Sequence, residues 1–297
     1  MSVLFAAKEK GVLAGLFGAA SGSDSDSEPE GAPGAGSPEQ GAAGEEKPEQ
    51  ADQTDQSGLT ELVHRSESAR GAFEVRVYQH RIKGIAHQLW PAATHLCRYI
   101  DTNLDSVFSA HGGVEGARVI ELGAGIGLVG VYLSALGCRR VILTDLQQAM
   151  EIIQTNIDAN KTKTASSSST LAMPLSWGNA AEAEAVVLAL LCGGESAAAP
   201  ESEEPPPLIV AADCVYWESL FELLADTLCL LCRRCQGARV LMSHVRRWKK
   251  DAKFFKLCVK KGLNVTVLSE TVEHVPAEHT GLPERTITRV YLISSQH

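Results

Sequence analysis

No stretch of the 297 residues approaches the ~20 consecutive apolar positions that a membrane-spanning helix requires. Excess positive charge is missing too: the formal net charge is −9, and the acidic surplus is concentrated before Gly58, which leaves the rest of the chain nearly balanced. Such a balance lacks the global positive field on which sequence-independent nucleic-acid binding draws. Nor is there a secreted disulfide framework. Several of the eight cysteines sit inside apolar runs, where a reduced thiol packs as a small hydrophobe, and this usage points to a cytoplasmic chain. Cys229, Cys232 and Cys235 have the spacing of zinc thiolates, but helical periodicity precedes them and no neighbouring His or Cys completes a four-ligand set, so no metal is expected.

What is present is enough apolar residue, 44%, for one sizeable core. Residues 1–58 read as an acidic, low-complexity tail, because the stretch from Ser21 to Ser57 is Gly, Ser, Pro, Glu, Asp and Gln and has too little apolar surface to offset the entropy of ordering. Its mildly apolar start, Met1 to Ala20 with Lys8 and Lys10, is open to two readings, a loose tail or a targeting peptide. Residues 59–297 read as one domain, interrupted by flexible insertions near 164–170 and 193–207. No internal repeat is found.

Within the domain, short β-type runs alternate with helical segments, the pattern of a mainly parallel sheet covered on both faces. Strands are predicted at Arg118–Glu121, Val141–Thr144, Leu171–Pro174, Leu208–Ala212, Val240–His244, Val265–Ser269 and Thr288–Ser294. Helices are predicted at Leu128–Leu136, Gln147–Asn160, Ala180–Leu191, Ser219–Cys232 and Lys249–Lys260. No helical run separates the last two strands. A parallel pair needs a long crossover, so these two should be antiparallel, which gives an α/β fold of seven strands with one reversed near the edge.

The first of these strands runs into Gly123-Ala124-Gly125-Ile126-Gly127, and Asp145 ends the second. Glycines there permit a tight turn and a close ligand, and the carboxylate can accept hydrogen bonds from both ribose hydroxyls of a nucleoside. Gly125-x-Gly127-x-x-Gly130 also matches the dinucleotide fingerprint, with Asp145 at the right remove. The motif alone leaves both cofactors open. Register favours a turn that starts at Gly123, and Glu121 suits a cofactor with a cationic amino-acid end.

Four segments together carry a family resemblance: Gln88-Leu89-Trp90-Pro91-Ala92-Ala93, Glu121 to Gly127, Leu175-Ser176-Trp177-Gly178 and Asp213-Cys214-Val215-Tyr216. From about Phe73 onward the chain resembles the methyltransferase-like protein-lysine methyltransferases of the class I, seven-strand Rossmann-like type, whose hallmark is an Asp-x-x-Tyr motif after the fourth strand. The resemblance implies S-adenosylmethionine as cofactor and a protein lysine as acceptor. It further implies that Gly123, Ala124 and Gly125 contact the methionine part, Asp145 the ribose and Trp177 the adenine. Trp90 would close the site, Ala212 would line its methionine end, and Asp213 and Tyr216 would serve the chemistry.

Each assignment has a plainer rival. Trp90 and Trp177 could be core residues, and Asp213 could be a helix N-cap with Tyr216 packed one turn on. The segment Arg246-Arg247-Trp248-Lys249-Lys250 reads as the solvated face of an amphipathic helix, or else as a surface for an acidic protein or RNA. Nucleic-acid methylation is the second reading of the function, weakened by the absence of an Asn-Pro-Pro-Tyr type motif. A nicotinamide-dependent oxidoreductase and a non-enzymatic binding module complete the alternatives.

Overall fold

A computed structural model describes residues 58–163, 169–192, 204–276 and 283–296; the tail read into residues 1–57 and most of both insertions lie outside these. The described chain opens with an antiparallel hairpin, β1 (Thr60–Ser68) and β2 (Gly71–Gln79), followed by α1 (Pro91–Thr102) and the short helices α2 (Leu104–Phe108) and α3 (Gly113–Gly116). Then come β3 (Arg118–Leu122), α4 (Leu128–Leu136), β4 (Arg140–Asp145), α5 (Met150–Ala159), β5 (Ser169–Pro174), α6 (Ala180–Cys192) and β6 (Leu208–Ala212). The last elements are α7 (Phe221–Arg234), β7 (Arg239–Arg246), α8 (Ala252–Lys260), β8 (Leu263–Pro276) and β9 (Pro283–Ser295).

Seven strands pair in the order β5-β4-β3-β6-β7-β9-β8. All neighbours are parallel except β9, which runs against both β7 and β8. This is the expected class I arrangement. The two closing strands are longer than their apolar centres suggest, because the alternation Glu270-Thr271-Val272-Glu273-His274 continues β8 past a bulge between Val267 and Ser269.

The central strands read as continuous apolar runs because each face has its own core. Val119, Val141, Leu143, Val210 and Leu241 point into a cluster with α1, α4 and α5, while Ile120, Leu122, Ile142, Ile209 and Met242 point into another with α6, α7 and α8. Each such side chain contributes about 1.5–3 kcal/mol when taken from water. The three cysteines with zinc-like spacing belong to the second cluster together with Cys258. Among the described residues no group of His, Cys, Asp or Glu is arranged to hold a metal, and no helix is long and apolar enough to cross a membrane.

Sequence periodicity does not reveal how the hairpin is fastened. Asn156 of α5 accepts from Tyr78 N–H (2.7 Å) and donates to Tyr78 O (3.0 Å), and Asn160 makes the same pair with Arg76 (3.0 and 2.6 Å), so two side chains stand in for a neighbouring strand along β2. Asn156 also donates to Ile126 O (2.7 Å), which ties the hairpin to the glycine turn. Of the second insertion, residues 204–207 are described and packed: Arg118 donates to Pro205 O (2.9 Å) and pairs with Glu204, and His111 Nδ1 bonds Pro206 O (2.7 Å).

Candidate active site

The site lies where the parallel strands end. After β3, Gly123, Gly125 and Gly127 all take left-handed backbone angles (φ 60°, 58° and 82°), so the turn starts at Gly123 as its register suggests. A Cβ on Gly123 would lie 2.9 Å from both Trp177 Cζ2 and Cys214 Sγ. That bareness lets the indole approach the turn. Gly130 lies inside α4, where a Cβ would meet Leu143 Cγ at 2.4 Å and Glu121 Oε2 at 2.6 Å; its part is helix-to-strand packing.

Two carboxylates brace the turn. Asp145 Oδ2 accepts from Gly125 N–H (2.8 Å) and Oδ1 from Leu146 N–H (2.7 Å). Burial pushes its carboxyl up to about 6, against the lowering pull of those two donors. A carboxylate oxygen has two lone-pair sites, so each Asp145 oxygen retains one. Glu121 Oε2 accepts from Gly130 N–H (2.8 Å) near the N-terminus of α4, and burial pushes it up to about 8, again partly offset by that bond and aided by the neighbouring Asp145 charge. Ala124 N–H is already committed to Thr144 O (2.9 Å). Ala124 and Gly125 therefore offer a ligand backbone surface rather than a free N–H.

Trp177 follows β5 and is half-buried over the turn; Trp90, at the N-terminus of α1, donates through Nε1 to Ile85 O (2.9 Å). Ala212 is the last residue of β6, partly exposed at the strand end. The next residue, Asp213, is the only non-glycine with a left-handed φ (61°) among the described residues, a conformation that costs free energy and tends to persist at functional sites. No helix starts there, which overturns the helix-cap reading: residues 213–217 form an irregular loop, helical turns begin at Glu218, and Tyr216 is not one helical turn on.

Asp213 is held from three sides. Arg247 donates Nη1 to Oδ1 and Nη2 to Oδ2, both at 2.7 Å, and Val245 N–H reaches Oδ1 at 3.3 Å. The same guanidinium lies 5.6 Å from the Trp90 ring centroid, so it connects the segment before α1 with the end of β6. His244, buried beside them, bonds Asp251 Oδ2 (3.2 Å). Tyr216 packs between Trp177 (6.2 Å between centroids) and Trp217 (5.2 Å), and burial raises its phenol well above the ordinary range. Arg247 and Trp217 escape sequence reasoning, since Arg247 is remote in sequence from Asp213 and is masked by a run of basic neighbours.

A seven-stranded sheet with one reversed strand, a glycine turn at its centre and a carboxylate at the end of the next strand define a class I methyltransferase. The residues fit S-adenosylmethionine: Asp145 retains acceptor capacity for two hydroxyls, and a bare turn faces an indole. The model of the lysine methyltransferase family matches residues 71–261, and the chain belongs to that family. Over 186 residues it is 33% identical to EEF1A lysine methyltransferase 3 of Xenopus tropicalis, covering 62% of this chain and 69% of the relative. Over 210 residues it is 29% identical to protein-lysine N-methyltransferase EFM6 of Saccharomyces cerevisiae, covering 67% and 80%. The activity is accordingly transfer of a methyl group from S-adenosylmethionine to lysine, and the nicotinamide alternative falls.

Proposed function

We propose that the acceptor is a lysine side chain on the surface of a non-histone cytoplasmic protein, and that residues 59–297 form the catalytic unit. The observation that carries this reading is that the glycine turn, Asp145 and the Asp213–Tyr216 loop all sit at the C-terminal ends of three adjacent parallel strands, β3, β4 and β6, in a chain of the lysine methyltransferase family. Seven described cysteines are buried free thiols, in keeping with a reducing compartment.

The bound cofactor supplies an electrophilic methyl group. In this reading Asp145 accepts from the ribose, Trp177 lies against the adenine, and the backbone of Gly123, Ala124 and Gly125 with Ala212 borders the methionine part. Trp90 closes the site. Asp213 accepts three hydrogen bonds, which leaves Oδ2 one lone pair with which to orient the lysine amine, and Tyr216 frames its channel. Alignment and exclusion of water do most of the work, because a free lysine titrates near 10.4 and must arrive neutral at the point of attack.

The test is incubation of the pure protein with S-adenosylmethionine carrying a tritiated methyl group and a cell extract, followed by protease or nuclease. Label released by protease and recovered as methyl-lysine is expected; label released by nuclease would sink the reading. EEF1A, named in the Xenopus relative, is the first defined substrate to try.

A further inference from the structure

We propose that the rim of this site is a docking surface for an acidic protein segment, one with Asp or Glu on either side of the target lysine. The inference rests on lysine methylation at Asp213. Its starting point is the strand register: Asp213 N–H bonds Ser243 O (2.9 Å), so the residues that continue β7 border the site, and among them Arg246, Lys249 and Lys250, on either side of the Asp213 partner Arg247, are exposed. Lys250 lies 5.0 Å from the Trp248 ring centroid. Exposed Arg81 and Lys83 form the short helical turn just before Ile85, whose carbonyl Trp90 Nε1 bonds, and Trp90 in turn meets Arg247.

None of Arg81, Lys83, Arg246 and Lys249 has an ion-pair partner among the described residues, so they contribute little to folding. Elsewhere Lys253–Glu218, Lys261–Asp226 and Arg289–Glu270 are matched, while Arg98, Arg233, Arg239, Lys256 and Lys260 likewise have no ion-pair partner among the described residues. What sets the rim cations apart is their place beside the site, in a domain whose charge is nearly balanced once the acidic residues before Gly58 are set aside. The nearby acids are largely engaged: Glu218 is paired with Lys253 and also feels Lys250, Asp251 is buried against His244, and Asp213 is paired with Arg247, leaving Glu151 and Glu273 at the periphery.

The substrate lysine is itself a cation, and a positive rim repels it. The repulsion grows if its neighbours are basic and turns to attraction if they are acidic, the usual way in which charge at an interface sets partner choice and encounter rate. A basic tail is therefore disfavoured, and an acidic setting supplies the binding that the lysine lacks. RNA has the same sign of charge, but the family acts on lysine, which selects protein.

The experiment uses two short fluorescent peptides, each with one lysine, flanked by glutamates in one and by arginines in the other. Their binding to the full chain saturated with S-adenosylhomocysteine is followed by anisotropy at low and physiological salt. The Glu-flanked peptide should bind about tenfold more tightly at low salt, with the gap narrowing as salt screens it. The variant Arg246→Glu/Lys249→Glu/Lys250→Glu should invert the order while binding S-adenosylhomocysteine as before. Equal binding of the two peptides, binding of neither, or a preference unchanged in the variant would overturn the proposal. So would tighter binding of a poly-uridine oligomer, lost in the variant, which would assign the rim to RNA. Failure of the extract assay with these peptide results intact would strike the methylation reading instead.

Discussion

Arg247 and Asp213 face each other in a two-pronged ion pair, with both bonds at 2.7 Å and the Asp213 side chain 3% exposed. Removing the guanidinium leaves a buried carboxylate without its counter-charge, a loss of about 3–5 kcal/mol for fully buried pairs. Here Arg247 retains 24% exposure, so about 2–3 kcal/mol is expected for Arg247→Ala in urea denaturation. Arg247→Lys preserves the charge without the fork and should recover part of that. In Arg247→Ala/Asp213→Asn the two effects should be clearly non-additive, and simple additivity would show that the pair is not coupled.

Asp145 should make cofactor affinity depend on pH. Burial pushes its carboxyl up to about 6, and the ionised form is the one with an acceptor free on each oxygen for the two hydroxyls. Calorimetric titration with S-adenosylhomocysteine should therefore show affinity steady above pH 7 and falling as pH drops through 6. Asp145→Ala should weaken binding by about 1.5–3 kcal/mol for each charge-assisted bond lost. A wild-type affinity in that variant would take the ribose role away from this residue.

Glu121 should make the ligand-free protein less stable as pH rises. Folding moves its carboxyl from the ordinary 4.5 to about 8, so between those values the folded state holds a proton that the unfolded chain has released. Stability then declines with pH, by up to about 1.4 kcal/mol per unit. Asp145 contributes in the same direction but only up to about 6. His64, His87, His95 and His111, lowered by burial from the ordinary 6.5, act in the opposite sense as pH rises through that value. Between pH 6 and 8 the Glu121 part is therefore read as the difference between wild type and a Glu121 variant. Glu121→Gln retains an acceptor for Gly130 N–H and should remove the downward part of the slope across that interval, so that its melting temperature gains on the wild type as pH rises. An unchanged slope would assign the dependence elsewhere.

The sheet was legible because each central strand is a short apolar run between turn residues, and the reversed ending because no helix fits between the last two runs. The glycine turn and Asp145 were legible for the same reason: their spacing is local. The β1–β2 hairpin was not. The inward positions of β1 are Thr60, His64, Ser66 and Ser68, so no apolar alternation shows, and the partner of β2 is a pair of asparagines, Asn156 and Asn160, whose carboxamides imitate a strand only once the chain has folded. Arg247 was hidden likewise, as a side chain defined by a contact with Asp213 rather than by its sequence neighbours.

Tyr216 allows the chemistry to be separated from the architecture. Its ring is wedged between Trp177 and Trp217, yet no hydrogen bond to its hydroxyl exists among the described residues, so Tyr216→Phe preserves the packing and removes one oxygen. Stability should change by no more than about 0.5 kcal/mol, the usual range for a substitution without a structural partner. If the hydroxyl accepts a hydrogen bond from the incoming amine, turnover should fall by roughly tenfold, the rate equivalent of about 1.4 kcal/mol. S-adenosylhomocysteine should bind as in the wild type, since the ribose and the glycine turn are untouched. Asp213→Asn should slow turnover further, because it loses the charge that orients the amine along with the pair to Arg247. That variant alone is ambiguous, as it also loosens the loop. The phenylalanine variant is not: if its turnover is unchanged while the Asp213 variant is slow and unstable, the loop is a scaffold and the amine is oriented by some other group.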